Sequence, residues 1–310
     1  LIIVDNHFHG GDVFNKLIVA LMPLAPRFIV KMISKRYIAG EDTDSAMATC
    51  QKLKAQGFLT TVDILGESVT LNGQALKARD SYLDLITEVA ESNIAKNISL
   101  KPTAMGLGLS EDLANEYIAS IVQKAHDAGV FIRLDMEDSP YTDKTLDMYE
   151  RLRSKFPQLG TVIQAYMHRS MDDVTKIAAT GGNLRICKGI YKESPQIAYQ
   201  NRDEIRQNYL KLVKEMLVKG AYVGIATHDP FLLDESLKMI DELKISADKY
   251  EFQALLGVPI VKKLEGLVSM GHQVRIYVPF GSEWYAYSSR RLKENPDVAG
   301  YVLKNLFVQK

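Results

Sequence analysis

Tyr287, Arg290, Arg291 and Glu294 fall three or four residues apart near the end of the stretch VRIYVPFGSEWYAYSSRRLKE, residues 274–294. On a helix that spacing brings a phenol, two guanidinium groups and a carboxylate to one face. Two adjacent arginines beside a tyrosine make a fork for a small carboxylate, and Glu294 would hold the fork in place. A solvated helix laced with ordinary ion pairs would show the same pattern. The residues before it read as a strand, with Val274, Ile276 and Val278 alternating with Arg275 and Tyr277 and a turn expected at Pro279-Phe280-Gly281.

Polar groups recur wherever a strand is expected to end. In chain order they are Asp63, Lys101, Asp135 with Glu137, Gln164, Arg185 with Lys188, the run Thr227-His228-Asp229, Gln253 and Tyr277. Lys101, Arg185, Arg290 and Arg291 bring positive charge, and Asp135 and Glu294 balance it. No serine or cysteine sits beside a histidine in a nucleophile elbow. Such a set suits the binding and orientation of a small zwitterion next to a separate redox or electrophilic agent, so a cofactor is implied. His228 has a second reading, as a cap for the helix that follows it.

The elements that must position these groups alternate regularly. Helices are expected over 44–56, 71–92, 110–128, 143–155, 171–179, 200–219, 231–243 and 258–270, with strands over 58–64, 98–103, 131–136, 161–166, 183–188, 222–227, 250–255 and 273–278. Eight strand–helix units imply an α/β fold, a (β/α)8 TIM-like barrel whose site lies at the carboxyl ends of its strands. An open doubly wound sheet would carry a glycine-rich phosphate loop after its first strand, where this chain has Asp63-Ile64-Leu65-Gly66-Glu67. The expected division is an N-terminal segment and helical arm over 1–57, interrupted by Pro23 and Pro26, and a catalytic barrel over 58–310.

With 38 basic and 38 acidic residues among 310, the formal charge is zero, so a nucleic-acid partner is not expected and any anion specificity must be local. The two cysteines, Cys50 and Cys187, have no metal-ligand spacing and fit a reducing compartment. No apolar run reaches the ~18 residues of a membrane span. No signal peptide is read ahead of Leu1.

Seven segments in order resemble proline dehydrogenase, the FAD-dependent family that begins proline catabolism. They are ISLKPTAMG (98–106), FIRLDMED (131–138), TVIQAYMHR (161–169), LRICKGIY (184–191), GIATHDP (224–230), YEFQALLGV (250–258) and YVPFG…WYAYSSRRLKENP (277–296). The length is similar to that of the monofunctional bacterial form. The resemblance implies oxidation of L-proline to Δ1-pyrroline-5-carboxylate, with hydride passing from C5 to flavin N5 and electrons then going to a membrane quinone. It implies that Arg290, Arg291 and Lys101 hold the substrate carboxylate, that Tyr277 and Tyr287 wall its ring, that Asp135 joins the network beside Lys101, and that Glu294 braces the arginines. Met136 and Gln164 would touch the isoalloxazine, and Arg185 would lie near N5. Lys188, Gly189 and Ile190 would run along the cofactor, while Thr227 and His228 meet its phosphate or ribose. A cytoplasmic location close to the inner membrane face is implied as well.

Three features depart from the family pattern. Cys187 replaces the usual aliphatic residue and Ile190 a small one, both beside the implied flavin, and the opening LIIVDNHFHG has no family counterpart. Tyr277 stands where relatives that prefer hydroxyproline carry a smaller residue, which favours proline. Other readings compete with this one. Lys101 or Lys188 could form a Schiff base in an aldolase-type barrel. A catalytically silent barrel could bind a partner or a membrane surface through its basic arm, residues 17–37. His7-x-His9 opens metal-dependent barrels too, but the last strand ends in Tyr277-Val278-Pro279 rather than an aspartate, so no metal is expected.

Overall fold

The computed structural model describes residues 30–31, 34–92, 94–285 and 287–288. Its eight parallel strands close into one barrel in sequence order: β1 (Leu59–Ile64), β2 (Asn97–Leu100), β3 (Phe131–Leu134), β4 (Leu159–Gln164), β5 (Asn183–Cys187), β6 (Tyr222–Ala226), β7 (Tyr250–Leu255) and β8 (Val274–Phe280). β1 closes the sheet against β8 in the register Leu59↔Arg275 to Ile64↔Phe280. Helices α1 (Thr43–Ala55), α2 (Asn72–Ser92), α3 (Glu111–Asp127), α4 (Thr142–Arg153), α5 (Ser170–Ala179), α6 (Arg202–Val218), α7 (Pro230–Glu242) and α8 (Val261–Ser269) alternate with the strands. The (β/α)8 expectation holds.

Local chemistry explains the boundaries. Asp42, Ser110, Asn201 and Asp229 cap α1, α3, α6 and α7 by accepting a backbone N–H from the first turn of each helix. The cap on α7 is therefore Asp229, and the alternative role for His228 is not observed. Helices cover the strands from outside and side chains fill the barrel, so β2 and β4 are buried along their whole length. On α2, Tyr82, Leu85, Ile86 and Val89 recur every third or fourth residue and face the sheet, with the Tyr82 hydroxyl donating to the Ser99 carbonyl at 3.1 Å. Each such burial contributes roughly 1.5–3 kcal/mol.

Six strand ends differ from the sequence reading: β4 stops two residues early and β5 and β6 one, and the other three bear on the site. β2 stops at Leu100 because Pro102 opens a 3-10 turn over Pro102–Met105. β3 stops at Leu134, so Asp135, Met136 and Glu137 stand in the loop beyond the sheet. β8 runs on through the expected turn, pairing Pro279 with Asp63 and Phe280 with Ile64. Pro279 lacks an N–H, yet its carbonyl accepts from Ala39 N at 2.9 Å, so the chain before α1 holds it there.

That preceding chain lies close against the barrel. A Cβ on Gly257, at φ +75°, would collide with the Arg36 carbonyl oxygen. Tyr37 and Ile38 are buried. Most of the amphipathic arm expected over 17–37 lies outside the described residues. Among the described residues no helix is long and apolar enough to cross a membrane.

Candidate active site

The carboxyl ends of β1, β2 and β3 lie side by side, and the register sets Asp63 opposite Ser99 and Ser99 opposite Arg133. Two residues further along, Lys101 reaches back to Asp63, with Nζ 2.8 and 2.9 Å from the two carboxylate oxygens. Burial alone would drive the Lys101 amine towards neutrality, but Asp63, Tyr277 and Asp135 outweigh it and hold the ammonium form well above its ordinary range. Lys101 is thus a fixed cation, which speaks against a free amine able to form a Schiff base.

Asp135 is the hub. Its Oδ1 accepts from Ser99 Oγ at 2.5 Å and from Arg185 Nη2 at 3.0 Å, and its Oδ2 accepts from the Tyr277 hydroxyl at 3.0 Å. Burial would raise this carboxyl, but the charges of Arg185 and Lys101 and the hydrogen bonds from Ser99 and Tyr277 keep it below the ordinary aspartate value. The Arg185 guanidinium also lies over the Tyr277 ring, 5.3 Å from its centroid. Tyr277 itself is driven well above the usual phenol range by burial and by the charges of Asp135 and Asp63, so it remains a donor.

These groups open onto a cavity whose empty space, open solvent included, is about 1040 Å³. Met136, Val162 and Ala254 form apolar wall, and Gln164, Gln253 and His228 punctuate it with polar groups. His228 Nε2 accepts from Leu255 N at 2.9 Å, which sets the neutral ring's proton on Nδ1. The Gln164 side chain donates from Nε2 to the Glu137 carbonyl at 2.9 Å, while its Oε1 is buried with no hydrogen-bond partner among the described residues.

Of the residues singled out in the sequence, Lys101, Asp135, Met136, Gln164, Arg185, Ile190, His228, Tyr277 and Tyr287 line this one cavity. Lys188, Gly189 and Thr227 are not among the residues that line it. Lys188 Nζ sits 3.2 Å from Asp229, which also takes Arg206 Nε at 2.8 Å and Nη2 at 2.9 Å. Thr227 Oγ1 accepts from Asp229 N. Arg290, Arg291 and Glu294 lie outside the described residues. Cys187 and Ile190, the two departures, both reach the cavity. Among the described residues no group of three or more potential metal ligands is found.

Several contributors were missed or left without a role. Asp63, Glu67 and Tyr191 line the cavity, and Ser99 and Arg206 tie down residues that shape it. Ser99 becomes visible, and Asp63 gains its role as the partner of Lys101, only once β1 and β2 are placed in register.

The family model described as proline dehydrogenase matches residues 46–304. The chain belongs to the proline dehydrogenase family. Proline dehydrogenase 1 of Bacillus subtilis (strain 168) is 34% identical over 286 residues, covering 92% of this chain and 94% of that protein. Proline dehydrogenase of Deinococcus radiodurans is 34% identical over 279 residues, covering 88% and 90%. Among solved structures, proline utilization A (PutA) from Bdellovibrio bacteriovorus, inactivated by N-propargylglycine, superposes with a TM-score of 0.79 at 26% identity over 90% of this chain. This chain spans only 34% of that protein. The family assignment and the barrel come from independent comparisons and agree.

Proposed function

We propose that this protein is a proline dehydrogenase that oxidises L-proline to Δ1-pyrroline-5-carboxylate with FAD, passing the electrons on to a quinone. The observation that carries the reading is the convergence of the Lys101–Asp63 pair and the Ser99–Asp135–Arg185–Tyr277 network on a single cavity at the carboxyl end of the barrel. A fixed cation and a fixed carboxylate a few ångströms apart complement the two ends of an amino acid.

The residues fit a flavin. Gln164 Oε1 is a buried acceptor in want of a donor, as a flavin ring N–H would be. Met136 and Val162 offer apolar surface to an aromatic system, and His228, on the same cavity wall, would meet the polar part of the cofactor. Bound FAD would supply the hydride acceptor, which the side chains do not. Lys188, Gly189 and Thr227 would act from outside that lining.

What the chain contributes is orientation and charge. Lys101, with Arg290 and Arg291 on the strength of the motif, would hold the proline carboxylate. Tyr277 and Tyr287 would flank the ring, and Tyr277 would exclude a ring hydroxyl. Fixing the substrate in a reactive pose can contribute several kcal/mol to the rate. The amine must lose a proton before its carbon gives up hydride readily. Lys101 and Arg185 are matched by Asp63 and Asp135, so the excess positive charge that would favour the neutral amine must come from Arg290 and Arg291. Glu294 would brace that pair. Peripheral contact of the basic arm, residues 17–37, with the inner membrane face would bring a cytoplasmic enzyme to the quinone.

The deciding experiment is anaerobic addition of L-proline to the purified protein while its visible flavin absorption is recorded. Bleaching by proline, and much less by hydroxyproline, is expected. A flavin that proline leaves oxidised removes the substrate assignment, and a protein that cannot be loaded with FAD removes the cofactor as well.

A further inference from the structure

Glu137 is a buried carboxylate on the cavity wall to which the reaction above gives no task; it is 3% exposed. Both of its oxygens are spent on one residue. Oε2 accepts from Thr103 N at 2.8 Å and Oε1 from Thr103 Oγ1 at 2.5 Å. Thr103 faces the loop after β1 on its other side, where its hydroxyl accepts from Ser68 N at 2.8 Å and its carbonyl from Val69 N at 3.4 Å. Ser68 has φ +51°, a left-handed conformation that costs a non-glycine residue free energy and persists only where neighbours hold it. The residue before it, Glu67, lines the cavity. A chain of hydrogen bonds therefore runs from a buried carboxylate, through one threonine, to the loop that brings Glu67 to the pocket.

We propose that Glu137 is a positioning residue: in its ionised form it holds Thr103, and through the Ser68 N–H it holds the β1 loop against the substrate cavity. A carboxylate accepts hydrogen bonds about twice as strongly as a neutral carboxyl, and a hydroxyl that donates to it is polarised into a better acceptor for the next N–H. Protonating Glu137 weakens both links at once. The Ser68 tie then loosens, and Glu67 withdraws from the wall.

Burial and charge act on Glu137 and on the groups around it. Burial pushes its carboxyl up to about 7, against the pull of the Thr103 hydrogen bonds and of Lys101 and with a push from Asp135. Lys101, at the end of β2, stays protonated, and Asp135, after β3, stays ionised. Tyr191, in the loop after β5, and Tyr82, on α2, both feel the Glu137 charge and are raised by burial, so they remain neutral. The other carboxylates nearby are Asp138, which acts on Tyr191, Glu67, and Asp63 on β1, which burial pushes up against the pull of Lys101.

The proposal rests on the cavity being the proline site for its kinetic consequence, but not for its structural one. Hydrogen exchange of the amides of residues 65–71 is measured on the full chain loaded with FAD, on both sides of neutrality and corrected for intrinsic rates. Protection of the Ser68 amide is expected to fall about five- to tenfold on the acid side. Glu137→Gln keeps the shape but removes the charge and turns one acceptor into an N–H donor, as protonation turns one into O–H, and should show the acid-side exchange at every pH. Thr103→Val should do the same, while Thr103→Ser restores the wild-type pattern. In steady-state kinetics, KM for proline should rise about five- to tenfold as pH falls through neutrality, with kcat nearly constant, and Glu137→Gln should lose that inflection. Loop exchange that is the same on both sides of neutrality, or a wild-type pH pattern in Glu137→Gln, overturns the proposal. If proline fails to bleach the flavin while the exchange behaves as expected, the substrate reading falls and this inference stands.

Discussion

Asp135 accepts from three side chains on three different strands, Ser99, Arg185 and Tyr277, so each of them depends on the others for its orientation. Tyr277→Phe keeps the ring and deletes one hydrogen bond to a charged acceptor, a loss of roughly 1.5–3 kcal/mol. Steady-state kinetics should show kcat/KM for proline falling by about 10- to 100-fold. Arg291→Met should raise KM for proline far more than it weakens FAD retention, and a variant that sheds flavin first would contradict the carboxylate assignment. Glu137 yields a stability prediction of its own. Its folded pKa, about 7, lies above the ordinary 4.5, so between those values the folded state binds more protons than the unfolded one. Its favourable contribution is full below the ordinary value and is lost as pH rises through about 7. At about 1.36 kcal/mol per pH unit, wild type should lose about 3 kcal/mol of unfolding free energy relative to Glu137→Gln across that window, read from urea titrations at a series of pH values.

At the scale of elements, the turn from β6 into α7 and the segment after β5 are locked together by one carboxylate. Asp229 caps α7 through Phe231 N and takes both Lys188 and Arg206, while being itself 1% exposed. This tie holds Lys188-Gly189-Ile190 along the cavity, which Ile190 lines. Gly189, at φ +112°, has no room for a side chain because a Cβ there would meet the Tyr166 ring. Asp229→Ala removes the cap and leaves Lys188 buried with one partner fewer. The expected cost is roughly 3–5 kcal/mol, visible as a lower denaturation midpoint, together with weaker FAD retention.

For the whole molecule, the two ends of the barrel differ in chemistry. At the amino-terminal end, Glu251 accepts from Arg275 Nε at 2.8 Å, while Arg133 donates to the Thr161 carbonyl at 3.0 Å and to Asn183 at 2.8 Å. These buried charges fill the barrel floor, with Glu251 Oε2 left without a hydrogen-bond partner among the described residues, and the cavity described above lies at the other end. The chain before α1 is docked onto this body through Ala39 N to Pro279 O and through the close approach of Arg36 to Gly257. Gly257→Ala should expel that segment. Limited proteolysis is expected to cut near residues 34–40 in the variant and not in wild type, and the melting temperature should fall.

The order and type of the elements were legible because the strands are short, largely buried apolar runs, the helices carry an apolar face, and four of them are capped by a nearby Asp, Ser or Asn. Such local signals need no partner to be read, and they were enough to imply a closed barrel with polar residues at its strand ends. The motifs placed Lys101, Asp135, Arg185 and Tyr277 among the site residues for the same reason. Strand register was not legible, because pairing depends on residues tens of positions apart. Only the folded barrel joins Lys101 to Asp63, makes Asp135 a hub for Ser99 and Tyr277, extends β8 through Pro279, and turns Lys188 towards Asp229. Charge was likewise countable in the sequence, but burial decides what a charge does. Glu137 reads as one more acidic residue until the fold removes its water and leaves Thr103 in its place.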